Sequence, residues 1–199
     1  MQRSHTEVPI VASLSPASWL TLAGGMLSSV AVFIYADATG PGGGEGWFAL
    51  GAACMFGGLL CDTLDGLLAR RFHWESDLGR ELDSLCDAIT YLVAPAVGLR
   101  ALGARDLWAS LALLAMIGAG VLRLARFNLM GNVQGAHGSA YLGLPVFYAH
   151  FAFAFLAAVH AVWRSLFEPL LFALLLPMSL LFVSRLTVLK PRIRSSCFP

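Results

Sequence analysis

Long apolar stretches alternate with short polar ones along this chain. A membrane-crossing helix needs ~20 mostly apolar residues. Six stretches qualify as candidates: about 17–35, 47–60, 82–99, 107–122, 144–162 and 166–183. The second is expected to run past the bilayer into a polar segment, and the third starts polar near Leu82. Asp37 to Gly46 reads DATGPGGGEG and lacks the Lys-Ser/Thr that follows a phosphate-cradling loop, so it is read as a linker. Gly131 to Gly143 is read as a second polar, glycine-rich loop. The pattern predicts an all-α polytopic membrane bundle of about six transmembrane helices, forming one domain over residues 1–199.

Composition agrees. The chain is 58% hydrophobic and 13% charged, against about 25% charged in soluble domains. The net charge of +1 says little about partners, and no nucleic-acid partner is expected. The four cysteines, Cys54, Cys61, Cys86 and Cys197, form no C-x-x-C pair and read as small apolar residues. No cleavable signal peptide is evident, since the first apolar stretch runs without a clear A-x-A cleavage pattern. With six spans, ten of the thirteen Lys and Arg fall on the side of the termini, and Arg100, Arg105 and Arg164 fall opposite. The positive-inside rule then places the termini and the loop from Asp62 to Asp87 in the cytoplasm. The glycines at 24, 25, 57 and 58 read as close helix packing. His150 and His160 read as packing or interfacial residues, and His73 and Trp74 as loop surface.

Acidic residues are unevenly placed too. Asp62, Asp65, Glu75, Asp77, Glu81, Asp83 and Asp87 are seven of the twelve acids, within 26 residues. Charged groups at a membrane boundary are costly and tend to serve function. Asp62 and Asp65 are i, i+3, and Asp83 and Asp87 are i, i+4, so each pair shares a helix face. A short loop between the helices lets four carboxylates converge, and their repulsion calls for cations. Hard oxygen donors suit Mg²⁺ or Mn²⁺. Spacing alone leaves open a solvated acidic helix end, or pairing with Arg70, Arg71 and Arg80.

The string from Asp62 to Asp87, DTLDGLLARRFHWESDLGRELDSLCD, resembles the signature of CDP-alcohol phosphotransferases, D-x-x-D-G-x-x-A-R-x8-G-x-x-x-D-x-x-x-D. Asp62, Asp65, Gly66, Ala69, Arg70, Gly79, Asp83 and Asp87 all match. The resemblance implies that Asp62, Asp65, Asp83 and Asp87 hold two divalent ions, with Asp87 also the base toward an acceptor hydroxyl. It implies a CDP site made by Asp62, Gly66, Ala69, Arg70, Gly79 and Asp83. Gly66 and Ala69 would let a nucleotide approach the backbone, Gly79 would open space between helices, and Arg70 would pair with pyrophosphate. The reaction implied is displacement at the β-phosphorus of a CDP-linked lipid, with CMP leaving.

A second resemblance concerns the acceptor. RLARFN, Arg123 to Asn128, and LGLP, Leu142 to Pro145, are similar to segments of the phosphatidylserine synthase branch, as is ELDSLCDAITYLVAPA from Glu81. It implies CDP-diacylglycerol and L-serine as substrates, with Arg123, Arg126 and Asn128 meeting the acceptor or the lipid phosphate. It also implies a homodimer among membrane lipids, in the inner membrane of a prokaryote. Related proteins often begin the first helix with Pro-Asn-x-x-Thr; here PASWLT stands instead, with Ser18 near the missing asparagine. Three other readings stay open: the same chemistry on glycerol 3-phosphate, inositol phosphate or choline; a non-catalytic protein keeping the fold; and an ion transporter, although its spans would carry deep charges that are scarce here.

Overall fold

The computed structural model describes residues 13–38, 45–130, 133–135 and 138–189. Arg3, Cys197, the basic tail from Lys190 to Arg194 and most of the first linker lie outside the described residues. The helices are α1 (Pro16–Asp37), α2 (Glu45–Phe72), α3 (Asp77–Asp87), a π-helical segment (Ala88–Val93), α4 (Ala94–Leu102), α5 (Leu107–Met130), α6 (Tyr148–Val162) and α7 (Arg164–Val183). The stretch Asp77–Leu102 runs on as one helix. Among the described residues, five helices are long and apolar enough to cross a membrane, and α6 is a shorter apolar one. The polytopic all-helical reading therefore holds. The chain forms two compact units, divided between Ala101 and Leu102.

In the first unit α1 packs along both α2 and α3. Ser15 caps it, its Oγ accepting from the Ser18 N–H at 3.2 Å, and Pro16 follows with its pre-set φ. The inward face of α1 is built from small residues, with Gly24, Gly25, Ser28 and Ala31 buried. A Cβ on Gly24 would lie 2.8 Å from Cys61 Cβ and 3.2 Å from the Gly58 carbonyl oxygen. A Cβ on Gly25 would lie 2.7 Å from Cys86 Sγ. Helix α1 thus touches the residues just before Asp62 and Asp87, at a separation that only glycine permits. Further along, Thr90 Oγ1 donates to Ser28 Oγ at 2.9 Å, satisfying two buried hydroxyls.

Helix α2 is held on one flank. Only 17% of its most apolar stretch is buried, and Leu50, Phe56, Leu60, Leu64 and Leu67 face outward. An exposed apolar surface of this extent is matched to lipid, not water. At its end, Arg70 and Arg71 complement the helix dipole. His73 takes φ 56° and the Trp74 N–H reaches the Ala69 carbonyl at 3.0 Å, closing the helix in a Schellman turn. Ser76 then caps α3, accepting from the Gly79 N–H at 3.0 Å. The connection over 73–76 is therefore short, as the motif spacing requires.

In the second unit α7 packs against α5 and α6. Leu113 and Met116, Phe153 and Leu156, and Leu171, Leu175 and Phe182 supply its buried side chains. Two expectations need correction. The Gly131 to Gly143 loop contains a hairpin, β1 (Val133–Gly135) with β2 (Gly138–Leu142), and β3 (Thr187–Leu189) pairs antiparallel on β2. Strands this short and glycine-rich lack the alternation that marks a strand in sequence. The fifth span, expected from residue 144, becomes helical only at Tyr148. Gly143 at φ 76° and Pro145 hold the chain in a turn before it.

Candidate active site

Three of the four motif aspartates converge. One carboxylate oxygen each from Asp62, Asp83 and Asp87 lies within 4.8 Å of the other two, and all three residues are half-buried. Asp62 sits on α2, Asp83 and Asp87 one turn apart on α3. Asp65, one turn beyond Asp62, is not in that group. It is only 4% exposed, and its Oδ2 has no hydrogen-bond partner. An unpaired buried carboxylate oxygen costs several kcal/mol in isolation, of the order of ~1–3 even for a neutral group. The donor set is all hard oxygen, and together with this orphaned atom it fits a divalent cation.

The alternative of arginine pairing is not what the fold uses at Arg80. Its guanidinium pairs with Asp77 on the exposed first turn of α3. Arg70 is exposed, with its guanidinium beside Gly66, where an added Cβ would meet its nitrogens at 3.5 and 3.7 Å. Gly66 thus leaves open backbone next to a fixed cation. Ala69, on the next turn, is half-buried. Gly79 opens space between helices, where α3 approaches α1. A Cβ there would lie 3.2 Å from Ser18 Oγ and 2.9 Å from Ser76 Oγ. Ser18, which stands near the absent asparagine, is thereby brought to the start of α3, and its Oγ is 3.0 Å from Ser15 Oγ.

Sequence reading missed Tyr91. It is buried in the π-helical segment, and its Oη donates to Asp62 Oδ2 at 2.5 Å. The segment begins one residue after Asp87, and the Ala94 N–H bonds the Ile89 carbonyl, the i→i+5 pattern. Buried Pro95 lies just beyond; its ring crowds the carbonyl four residues back, that of Tyr91, and the widened turn falls there. The available signal was spacing: Tyr91 is i+4 from Asp87.

In the second unit, Arg123 is 7% exposed, with its guanidinium 5.3 Å from the Phe127 ring centre. Arg126 donates to the carbonyls of Phe182, Val183 and Ser184 at 3.3, 3.1 and 3.0 Å. It thus caps the C-terminus of α7, whose last carbonyls have no helical partner. The Gly143 N–H bonds the Leu186 carbonyl at 2.8 Å, and the Leu144 N–H that of Leu181 at 3.1 Å. A Cβ on Gly143 would lie 2.6 Å from the Phe182 oxygen and 2.8 Å from Arg126 Nη2. RLARFN and LGLP are thus locked together around that helix end. Asn128 is half-buried on the same turn of α5 as Arg126.

Paired helices thus bring converging carboxylates beside a glycine-opened backbone and an arginine. Residues 14–184 match the family described as CDP-alcohol phosphatidyltransferase, and the chain belongs to that family. Similar proteins include the CDP-diacylglycerol–serine O-phosphatidyltransferase of Methanocaldococcus jannaschii, 40% identical over 91 residues, covering 44% of this chain and 40% of that one. The enzyme of that name from Bacillus subtilis is 33% identical over 97 residues, covering 48% and 52%. That of Mycobacterium leprae is 42% identical over 92 residues, covering 43% and 30%. The chain spans about half or less of the length of these curated relatives.

Proposed function

We propose that this chain transfers a phosphatidyl group from CDP-diacylglycerol to the hydroxyl of L-serine, releasing CMP and forming phosphatidylserine. One observation carries the reading: carboxylate oxygens of Asp62, Asp83 and Asp87 gathered within 4.8 Å, in a chain of this family. The shared activity of its named relatives supports serine as the acceptor.

Asp62, Asp65, Asp83 and Asp87 would hold the divalent ions, Mg²⁺ or Mn²⁺, two in number. Such ions, when bound, polarise the transferring phosphoryl group and offset its charge. Asp62 and Asp83 also border the CDP site, where Gly66 and Ala69 admit the nucleotide to the helix backbone and Gly79 keeps the start of α3 clear. Arg70 pairs with the pyrophosphate as a fixed cation. Asp87 takes the proton of the serine hydroxyl as that oxygen bonds to the β-phosphorus. The bridging P–O bond breaks, and its electron pair leaves with CMP. Positioning supplies much of the acceleration, since a carboxylate shared with a cation is a weak base. Arg123, Arg126 and Asn128 recognise the serine carboxylate or the lipid phosphate, with Arg126 anchored by its cap on α7. The protein works as a homodimer in the inner membrane of a prokaryote, its site facing the cytoplasm.

The test is to incubate membranes carrying the protein with CDP-diacylglycerol and each of serine, glycerol 3-phosphate, inositol and choline. Phosphatidylserine with serine alone is expected. Product with any other acceptor rejects the serine assignment.

A further inference from the structure

Tyr91 and Asp62 are 29 residues apart in sequence, yet the Tyr91 Oη donates to Asp62 Oδ2 at 2.5 Å. The contact joins α2 to the continuous helix that carries Asp83 and Asp87, at the level of the carboxylate cluster. It depends on the π-helical segment, which begins directly after Asp87. It is also sheltered, since Tyr91 is only 4% exposed. A phenol has a single proton to donate, and here the fold spends it on a group already crowded by two other carboxylates.

The chemistry of that choice is specific. A carboxylate has about four lone-pair positions. A hydrogen bond to Oδ2 occupies one and fixes the rotation of the group, leaving the remaining positions for a cation. The same bond disperses charge on Asp62 while the cluster is empty. We propose that Tyr91 is a positioning residue, holding the Asp62 carboxylate in the orientation that captures a divalent ion. This rests on the metal reading of the aspartates given above. Partners one shell out from a metal ligand are worth about 10–100-fold in affinity.

The experiment compares Mn²⁺ binding to the purified full chain in lipid nanodiscs, without substrate, by electron paramagnetic resonance of the free ion. Tyr91→Phe keeps the ring and its packing and removes only the donor. Thr90→Val is the control: it breaks the Thr90–Ser28 bond in the same π-helical segment without touching Asp62. The Mn²⁺ Kd of Tyr91→Phe is expected to weaken at least tenfold, while that of Thr90→Val stays within threefold of wild type. The Mn²⁺ concentration for half-maximal CMP release should rise in parallel, with kcat at saturating Mn²⁺ largely kept. Equal Kd values for wild type and Tyr91→Phe overturn the proposal and leave the metal reading intact. So does an equal loss in Thr90→Val, which would mean that the segment's integrity, not the phenol, is what counts. Absence of Mn²⁺ binding by the wild-type chain overturns the metal reading, and this inference with it.

Discussion

Replacing Gly24 by alanine tests whether α1, which carries no motif residue, sets the geometry of the site. The added Cβ would lie 2.8 Å from Cys61 Cβ and 3.2 Å from the Gly58 carbonyl oxygen. Carbon atoms in contact prefer about 3.5–4.0 Å, so the overlap with Cys61 is about 0.7–1.2 Å. The Gly58 oxygen belongs to the backbone and cannot rotate away. Helices α1 and α2 must therefore part by roughly 1 Å at this level, at an overpacking cost of about 1–3 kcal/mol. Asp62 follows Cys61 directly, so its carboxylate moves relative to Asp83 and Asp87. A misplacement of about 1 Å in reacting geometry corresponds to about a 10²-fold loss of rate. CMP release at saturating Mn²⁺ and the thermal midpoint in nanodiscs read the two effects. Cys61→Gly removes the opposing Cβ, so the double variant should recover part of both, with a coupling energy of about 1 kcal/mol or more in a double-mutant cycle. Turnover of Gly24→Ala within twofold of wild type, at an unchanged midpoint, would refute the argument. So would zero coupling to Cys61→Gly.

Two further predictions concern the charged residues. Asp87→Ala should reduce CMP release by about 10²–10⁴-fold, the range a general base supplies, while the protein still inserts into membranes; unchanged turnover removes the role given to Asp87. Arg126→Lys replaces a planar fork on three carbonyls by a point charge and should cost about 1–2 kcal/mol, read as a lowered thermal midpoint; a raised KM for serine at the same time would show that its charge also reaches the acceptor.

Much of the site was legible because its chemistry is local. Asp62 and Asp65, then Asp83 and Asp87, are fixed by helical spacing, and the capped turn over 73–76 is short enough to fold one pair onto the other. The close packing of Gly24, Gly25, Gly57 and Gly58 was legible for the same reason, because small residues at helical spacing have few other uses inside a membrane. What escaped depends on contacts distant in sequence. Pro95 and the i+4 spacing from Asp87 only hint at the role of Tyr91, whose partner Asp62 lies on another helix. The resemblance singles out Arg126 for the acceptor or the lipid phosphate, but its hold on the three carbonyls at the end of α7 comes from a helix distant in sequence. The strands around residues 133–142 are too short to print a period, and they are completed by Thr187–Leu189, which follows α7.

The sparse protein cover on α2 has a practical consequence. This helix carries Asp62 and Asp65, yet most of its apolar length lacks protein cover and suits acyl chains. Bilayer thickness and lateral pressure are then part of the scaffold that keeps the carboxylates in register. Short-chain detergent would loosen the catalytic geometry well before it unfolds the chain.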